Sequence, residues 1–274
     1  MKRLRMVNHL VILVACLIGL AAFLYPFFNS ALPQSPTRAN AHAEDAPLLM
    51  VGLVVICLGS VLATLGSGEM NSKTVAMLGV LTAVNAVLRA IPGPAGFSAV
   101  FVLPILAGYV FGSNFGFLLG AISIMVSALI GAGVGPWLPY QMFVTGWVGL
   151  FSGQLPHIVK WRKLEVPTLF VWAIVWGFIF GLLMNIWFWP YVFQAQQAEM
   201  YWRPGLALVE TLKRYAVFYI VTSVWWDLAR ALGNALLIGL FGIPILRLLR
   251  RFQKRFYFVR TPAGASDDHQ TAHA

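Results

Sequence analysis

The chain has 274 residues, of which 59% are hydrophobic and 10% charged, and its mean hydropathy is +0.79. A soluble domain carries roughly 25% charged residues, so this composition excludes a water-exposed globule, and the apolar content excludes a disordered chain. The net charge of +10 does not indicate a nucleic-acid partner, because the basic residues stand in short clusters flanking apolar runs, as in the cytoplasmic loops of membrane proteins.

A membrane span needs about 20 mostly apolar residues. On that rule spans are expected at 7–28, 47–66, 74–91, 98–112, 115–134, 138–155, 167–189 and 215–242, with the fourth short for a full crossing. The first follows Lys2, Arg3 and Arg5, and its run of 7–28 exceeds the roughly 7–15 residues of a signal-peptide core. It is read as a retained helix rather than a leader cleaved after Ala41-His42-Ala43. Segment 29–46, with Pro33 and Pro36, reads as an external linker, so residues 1–72 form a two-helix N-terminal transmembrane hairpin ahead of a six-helix core at 73–256. Segment 191–214 is expected outside, helical from Ala207 to Tyr215 and lying at the interface with Trp202 as an anchor. Residues 257–274 read as a disordered polar tail. The clusters Lys160, Arg162, Lys163 and Arg247, Arg250, Arg251, Lys254, Arg255 put both termini in the cytoplasm of a multi-pass cell-membrane protein. Cys16 and Cys57, each inside an apolar run, read as packing residues.

In hydrocarbon each polar side chain needs a partner or a cavity. Tyr219, Ser223, Asp227, Arg230 and Asn234 follow one another at intervals of four, four, three and four. At about 100° per residue they form one stripe on the last span, near mid-bilayer. Asp227 and Arg230 can pair on that face, either as a structural tie between helices or as part of a binding pocket. Gln141, Thr145 and Ser152 share a face with Gly149, and Thr82, Asn85 and Arg89 share another. Arg89 lies close to the outer surface, where a headgroup contact and a ligand contact are equally open. Asn185 adds a polar group near the outer end of the seventh span. Trp137, Tyr140, Trp187, Trp189, Tyr191 and Trp202 read mainly as an interfacial aromatic belt, with one or two as contacts for a flat ligand.

Small residues mark a different surface. Ala76, Gly79, Ala83, Ala86 and Ala90 lie on one side of the third span, where another helix can approach closely. Gly108, Gly112, Gly116 and Gly120 recur every four residues across the turn between the fourth and fifth spans. No phosphate-cradling loop and no H-E-x-x-H occurs. A dyad of Ser152 with His157 is hard to build, since His157 sits at a basic loop. No cofactor, metal or enzymatic activity is expected.

The run Arg89-Ala-Ile-Pro-Gly-Pro-Ala-Gly-Phe97 leads to Ala107-Gly-Tyr-Val-Phe-Gly112 and Gly116-Phe-Leu-Leu-Gly120. It continues into Gly135-Pro-Trp-Leu-Pro-Tyr-Gln-Met142, Gly146-Trp-Val-Gly149 and Trp226-Asp-Leu-Ala-Arg230-Ala-Leu-Gly-Asn234. This order of motifs resembles the substrate-binding S component of energy-coupling factor (ECF) vitamin transporters over about 73–256; the first two helices depart from that six-helix pattern. The resemblance implies capture of a vitamin-like small molecule at the external face. Delivery would follow by toppling in the membrane on a transmembrane T component that carries two ATPases. It implies a gating loop at Ile91 to Ser98 and a docking face at Gly79, Ala83, Ala86 and Ala90. It also implies a pocket lined by Gln141, Asn185, Ser223 and Asp227, to which the residues themselves add Arg89 and Arg230. The subgroup it is most similar to includes corrinoid transporters, which favours cobalamin or a precursor over thiamine or riboflavin. Two other readings stay open at this point: a non-transporting membrane scaffold using the small-residue faces, and an intramembrane enzyme centred on Asp227 and Arg230.

Overall fold

A computed structural model describes residues 2–29, 41–67, 70–156 and 162–256. The expectations placed on Pro33, Pro36, His157, Lys160 and the tail at 257–274 lie outside these residues. The described chain is helical: α1 (Lys2–Leu24), α2 (Ala46–Ser67), α3 (Ser72–Ala90), α4 (Val102–Phe111), α5 (Ser113–Ser127), α6 (Leu138–Ser152), α7 (Arg162–Phe188), α8 (Leu208–Thr222) and α9 (Val224–Phe256). Among the described residues, six helical stretches are long and apolar enough to cross a membrane, namely Leu10–Phe28, Ala46–Gly66, Ser72–Ala90, Ser113–Ala132, Leu164–Tyr191 and Val224–Arg255. This is an integral multi-pass architecture.

The core forms around α4. Residues Val102 to Val110 are all buried, as expected for a helix that is apolar on every side, and α4 lies against α5, α6 and α9. Neighbouring helices enclose this ten-residue helix. The last turn of α4 is closed by α9, where the Gln253 side-chain amide donates to the Val110 carbonyl at 2.6 Å. The glycine series at the α4–α5 turn has a packing reason. A Cβ on Gly108 or Gly116 would strike the carbonyl of Gly149, and one on Gly149 would strike that of Gly116. Three backbones therefore meet where α4, α5 and α6 cross, the close approach that small residues permit in membrane bundles. At the other end of the bundle from residues 41–45, Arg250 of α9 makes an ion pair with Glu165 of α7.

The structure corrects the last expected span. Instead of one helix over 215–242, the chain breaks at Ser223 (φ −131°, ψ −30°) between α8 and α9. Thr222 Oγ1 donates to the Phe218 carbonyl at 2.7 Å and lies 2.9 Å from Ser223 Oγ, the local hydroxyl bonding that competes with helix continuation. The Ser223 carbonyl then accepts from the amides of Trp226 and Asp227 and starts α9. Asp227 consequently lies in the first turn of α9, not mid-helix. The helix expected over Ala207 to Tyr215 is present as α8 and runs on to Thr222.

Residues 41–45 form a turn that docks onto the core. His42, in the left-handed region (φ 57°) and 1% exposed, places Nε2 2.9 Å from the Trp187 carbonyl and Nδ1 2.7 Å from Asp45 Oδ2. Tyr140 donates to Asp45 Oδ2 at 2.8 Å, and the hydroxyls of Tyr25 and Tyr191 are 2.8 Å apart. α1 also rests on α6, where Gly19 faces the rings of Phe143 and Trp147. Burial raises the Asp45 carboxyl, but the hydrogen bonds from His42 and Tyr140 and the charge of His42 outweigh it and hold it below its ordinary value. A carboxyl so lowered contributes stability above its unfolded value of about 3.9, and that contribution disappears as pH falls further, through the folded value. The unfolding midpoint of the purified protein should therefore drop on acidification below about pH 4, and Asp45→Asn should show a smaller acid step with a lower midpoint at neutral pH.

Candidate functional site

α7 and α9 approach through two glycines. A Cβ on Gly177 would meet Ala231, and one on Gly181 would occupy the space of the Asp227 carboxylate. Asp227 is 2% exposed. Its Oδ2 accepts from the Tyr219 hydroxyl at 2.9 Å and its Oδ1 is ion-paired with Arg230. The Arg230 guanidinium in turn lies over the Phe180 ring, 4.9 Å from its centre. Ser223 Oγ donates to Asn185 Oδ1 at 3.0 Å, so the break between α8 and α9 is fastened to α7.

These groups border a cavity of about 920 Å³, near the top of the 300–1,000 Å³ range of small-molecule sites. Gln141 enters from α6, Asn185 from α7, and Ser223, Asp227 and Arg230 from the break and α9. Aromatic walls come from Trp137, Phe180, Trp187 and Trp226, and Val192, Gln194 and Tyr201 contribute from the segment that joins α7 to α8. That segment is tied down by Arg214 of α8, which donates to the carbonyls of Ala198 (2.8 Å) and Tyr201 (3.3 Å), and by Trp189 Nε1, which donates to the Met200 carbonyl at 3.0 Å.

Of the six residues singled out from the sequence, Gln141, Asn185, Ser223, Asp227 and Arg230 border the cavity, and Arg89 does not. Arg89 stands behind it, donating to Gln141 Oε1 at 2.5 Å and to Ser127 Oγ at 2.7 Å, so it orients a lining amide. Two other stripe residues hold backbone. Asn234 donates to the Ser98 carbonyl at 3.0 Å and accepts from the Phe101 amide at 3.1 Å, and Asn85 donates to the Val100 carbonyl at 3.2 Å. The expected gating loop thus ends at anchored residues. Upstream, its Gly96 lies against the Trp226 ring and its Phe97 ring packs on Gly233. Ser152 donates to the Val148 carbonyl and accepts from Trp172 Nε1, a packing role.

The aromatic belt reading is corrected. Tyr140, Trp187, Trp189, Tyr191 and Trp202 are buried, and Trp137 alone of the six is exposed. Trp189 packs edge-on against Tyr215 and sits beside Phe218, and Trp202 lies edge-on to Phe27. Of the six only Trp137 and Trp187 border the cavity, and the buried rings pack within the protein. The sequence reading missed Gly181, Phe180, Trp226 and Gln194 at the cavity. For Gly181 a signal exists in the G-x-x-x-G spacing from Gly177. On α3, Ala76, Gly79, Ala83 and Ala90 are exposed and a Cβ on Gly79 meets nothing within 4 Å, whereas Ala86 is fully buried and does not belong to that open face.

Among protein families, the one described as the ECF transporter, substrate-specific component, matches residues 73–241. No curated protein and no solved structure matches the chain. Because Gly181 leaves room for Asp227, Gly181→Ala should displace the carboxylate and lower stability by about 1–3 kcal/mol, read as a reduced unfolding midpoint in detergent. Gly79→Ala, into open space within α3, should not lower the midpoint.

Proposed function

Since the chain belongs to the substrate-specific components of ECF transporters, we propose that its cavity captures a vitamin or related small molecule for ATP-driven import. The observation that carries this reading is the convergence of Gln141, Asn185, Ser223, Asp227 and Arg230 from different helices on one cavity of about 920 Å³. In lipid, polar side chains gathered this way line a pathway or a binding site. The size of the cavity and its amides, Gln141, Asn185 and Gln194, support a lean to a corrinoid over a smaller heterocycle. The positive-inside bias supports cytoplasmic termini and an external opening for the cavity. With α4 and α6 counted as crossing inside the bundle, the chain makes eight passes, α1 and α2 being a hairpin added to a six-helix core.

Mass spectrometry of small molecules released from gently purified protein tests capture. A vitamin should be present in the wild type and depleted in an Asp227→Asn, Gln141→Ala double variant. An empty wild type after growth in vitamin-rich medium favours a non-transporting scaffold instead. The second half of the proposal is that the exposed Gly79, Ala83 and Ala90 face of α3 docks the transmembrane T component, which carries two ATPases. A Cβ at position 79 meets nothing within 4 Å, so Gly79→Leu should abolish uptake into cells while leaving the amount of released vitamin unchanged. Equal loss of uptake and retention in that variant would count against a separate docking face.

A further inference from the structure

The turn at 41–45 lies outside the family match of 73–241, and nothing in the capture reading uses it. Yet its buried His42 packs against Trp187, a residue of the cavity wall. Nε2 lies 2.9 Å from the Trp187 carbonyl, and since a carbonyl only accepts, Nε2 carries the proton of that bond. Nδ1 lies 2.6 Å from the Tyr140 hydroxyl and 2.7 Å from Asp45 Oδ2. The imidazole stacks on the Trp187 indole, at 5.9 Å between centres and 19° between planes, and Tyr140 and Tyr191 enclose it at 4.5 and 4.6 Å. Trp187 borders the cavity, and Tyr140 immediately precedes the lining residue Gln141. The indole N–H of Trp187 is buried and has no hydrogen-bond partner among the described residues. Its ring is therefore placed by stacking and by the bond that His42 makes to its backbone.

We propose that His42 is a positioning residue of the binding site, holding Trp187 and Tyr140 in register so that the N-terminal helix pair forms part of the cavity's construction. The proposal rests on the capture reading for its consequence, although the geometry stands without it. A glycine at position 42 accepts the left-handed backbone without strain, so His42→Gly removes the ring alone.

The test is fluorine NMR of the full chain carrying 5-fluorotryptophan, with the Trp187 line identified by its loss in Trp187→Phe. In His42→Gly the Trp187 line should shift more than that of any other of the ten tryptophans, and added imidazole should return it. In the same variant, retention of the small molecule released by the wild type should fall about tenfold, the scale expected when a buried acceptor loses its donor. Should His42→Gly not fold, Tyr140→Phe, which keeps its ring and loses the hydroxyl shared by His42 Nδ1 and Asp45, should move the same line in the same direction by a smaller amount. A Trp187 line that moves no more than the others overturns the proposal, as does a moved line with retention unchanged. An empty cavity in the wild type is a different result. It defeats capture through the mass spectrum, while the line shift still decides whether His42 holds Trp187.

Discussion

α7 and α9 come into contact where two glycines of α7 leave no side chain, and a carboxylate from α9 fills the space beside the second. An ionised group in hydrocarbon costs at least ~2.5 kcal/mol on insertion scales, so Asp227 at this contact requires partners. Arg230 is one turn further along α9, but Tyr219 belongs to α8, on the far side of the break at Ser223. Satisfying the carboxylate therefore fixes the angle between α8 and α9 as well as the spacing of α7 from α9. The cavity is the space those two settings leave, and its cover follows α8 because Arg214 ties the preceding segment to that helix.

Much of this was legible in the sequence, for a physical reason. Apolar runs of sufficient length announce membrane helices, and within them polarity is expensive enough to mark the residues that need an explanation. Gln141, Asn185, Ser223, Asp227 and Arg230 were visible on that ground alone. Polarity reports that a group must be satisfied and not by what, which is why Arg89 and Asn234 look alike in the sequence and differ in the fold. One braces a glutamine that faces the cavity, and the other holds loop backbone.

The break at Ser223 was not legible. No proline or glycine interrupts Val221 to Trp226, the apolar character continues on both sides, and the deciding hydroxyl bonds are local and weak. Burial of the aromatic residues was equally hidden, because an interfacial ring and a ring packed inside the bundle have the same composition and sit at the same helix ends. His42 was hidden for another reason. Its partners Tyr140 and Trp187 lie 98 and 145 residues away, so only the assembled bundle relates the first two helices to the site.

The two asparagines that seize the end of the loop after α3 have a mechanical consequence. Asn85 and Asn234 clamp the backbone at 98–101 from opposite sides, so α4 begins at a rigid post and any swing is confined to the strap over 91–97. Fully extended, a strap of that length reaches no more than roughly 25 Å, and its inner portion is weighted onto α9 by Phe97. Lengthening the strap between Gly93 and Gly96 would enlarge its arc without loosening the post, so the loop can vary in evolution or engineering while the register of the central helix stays where two buried amides put it.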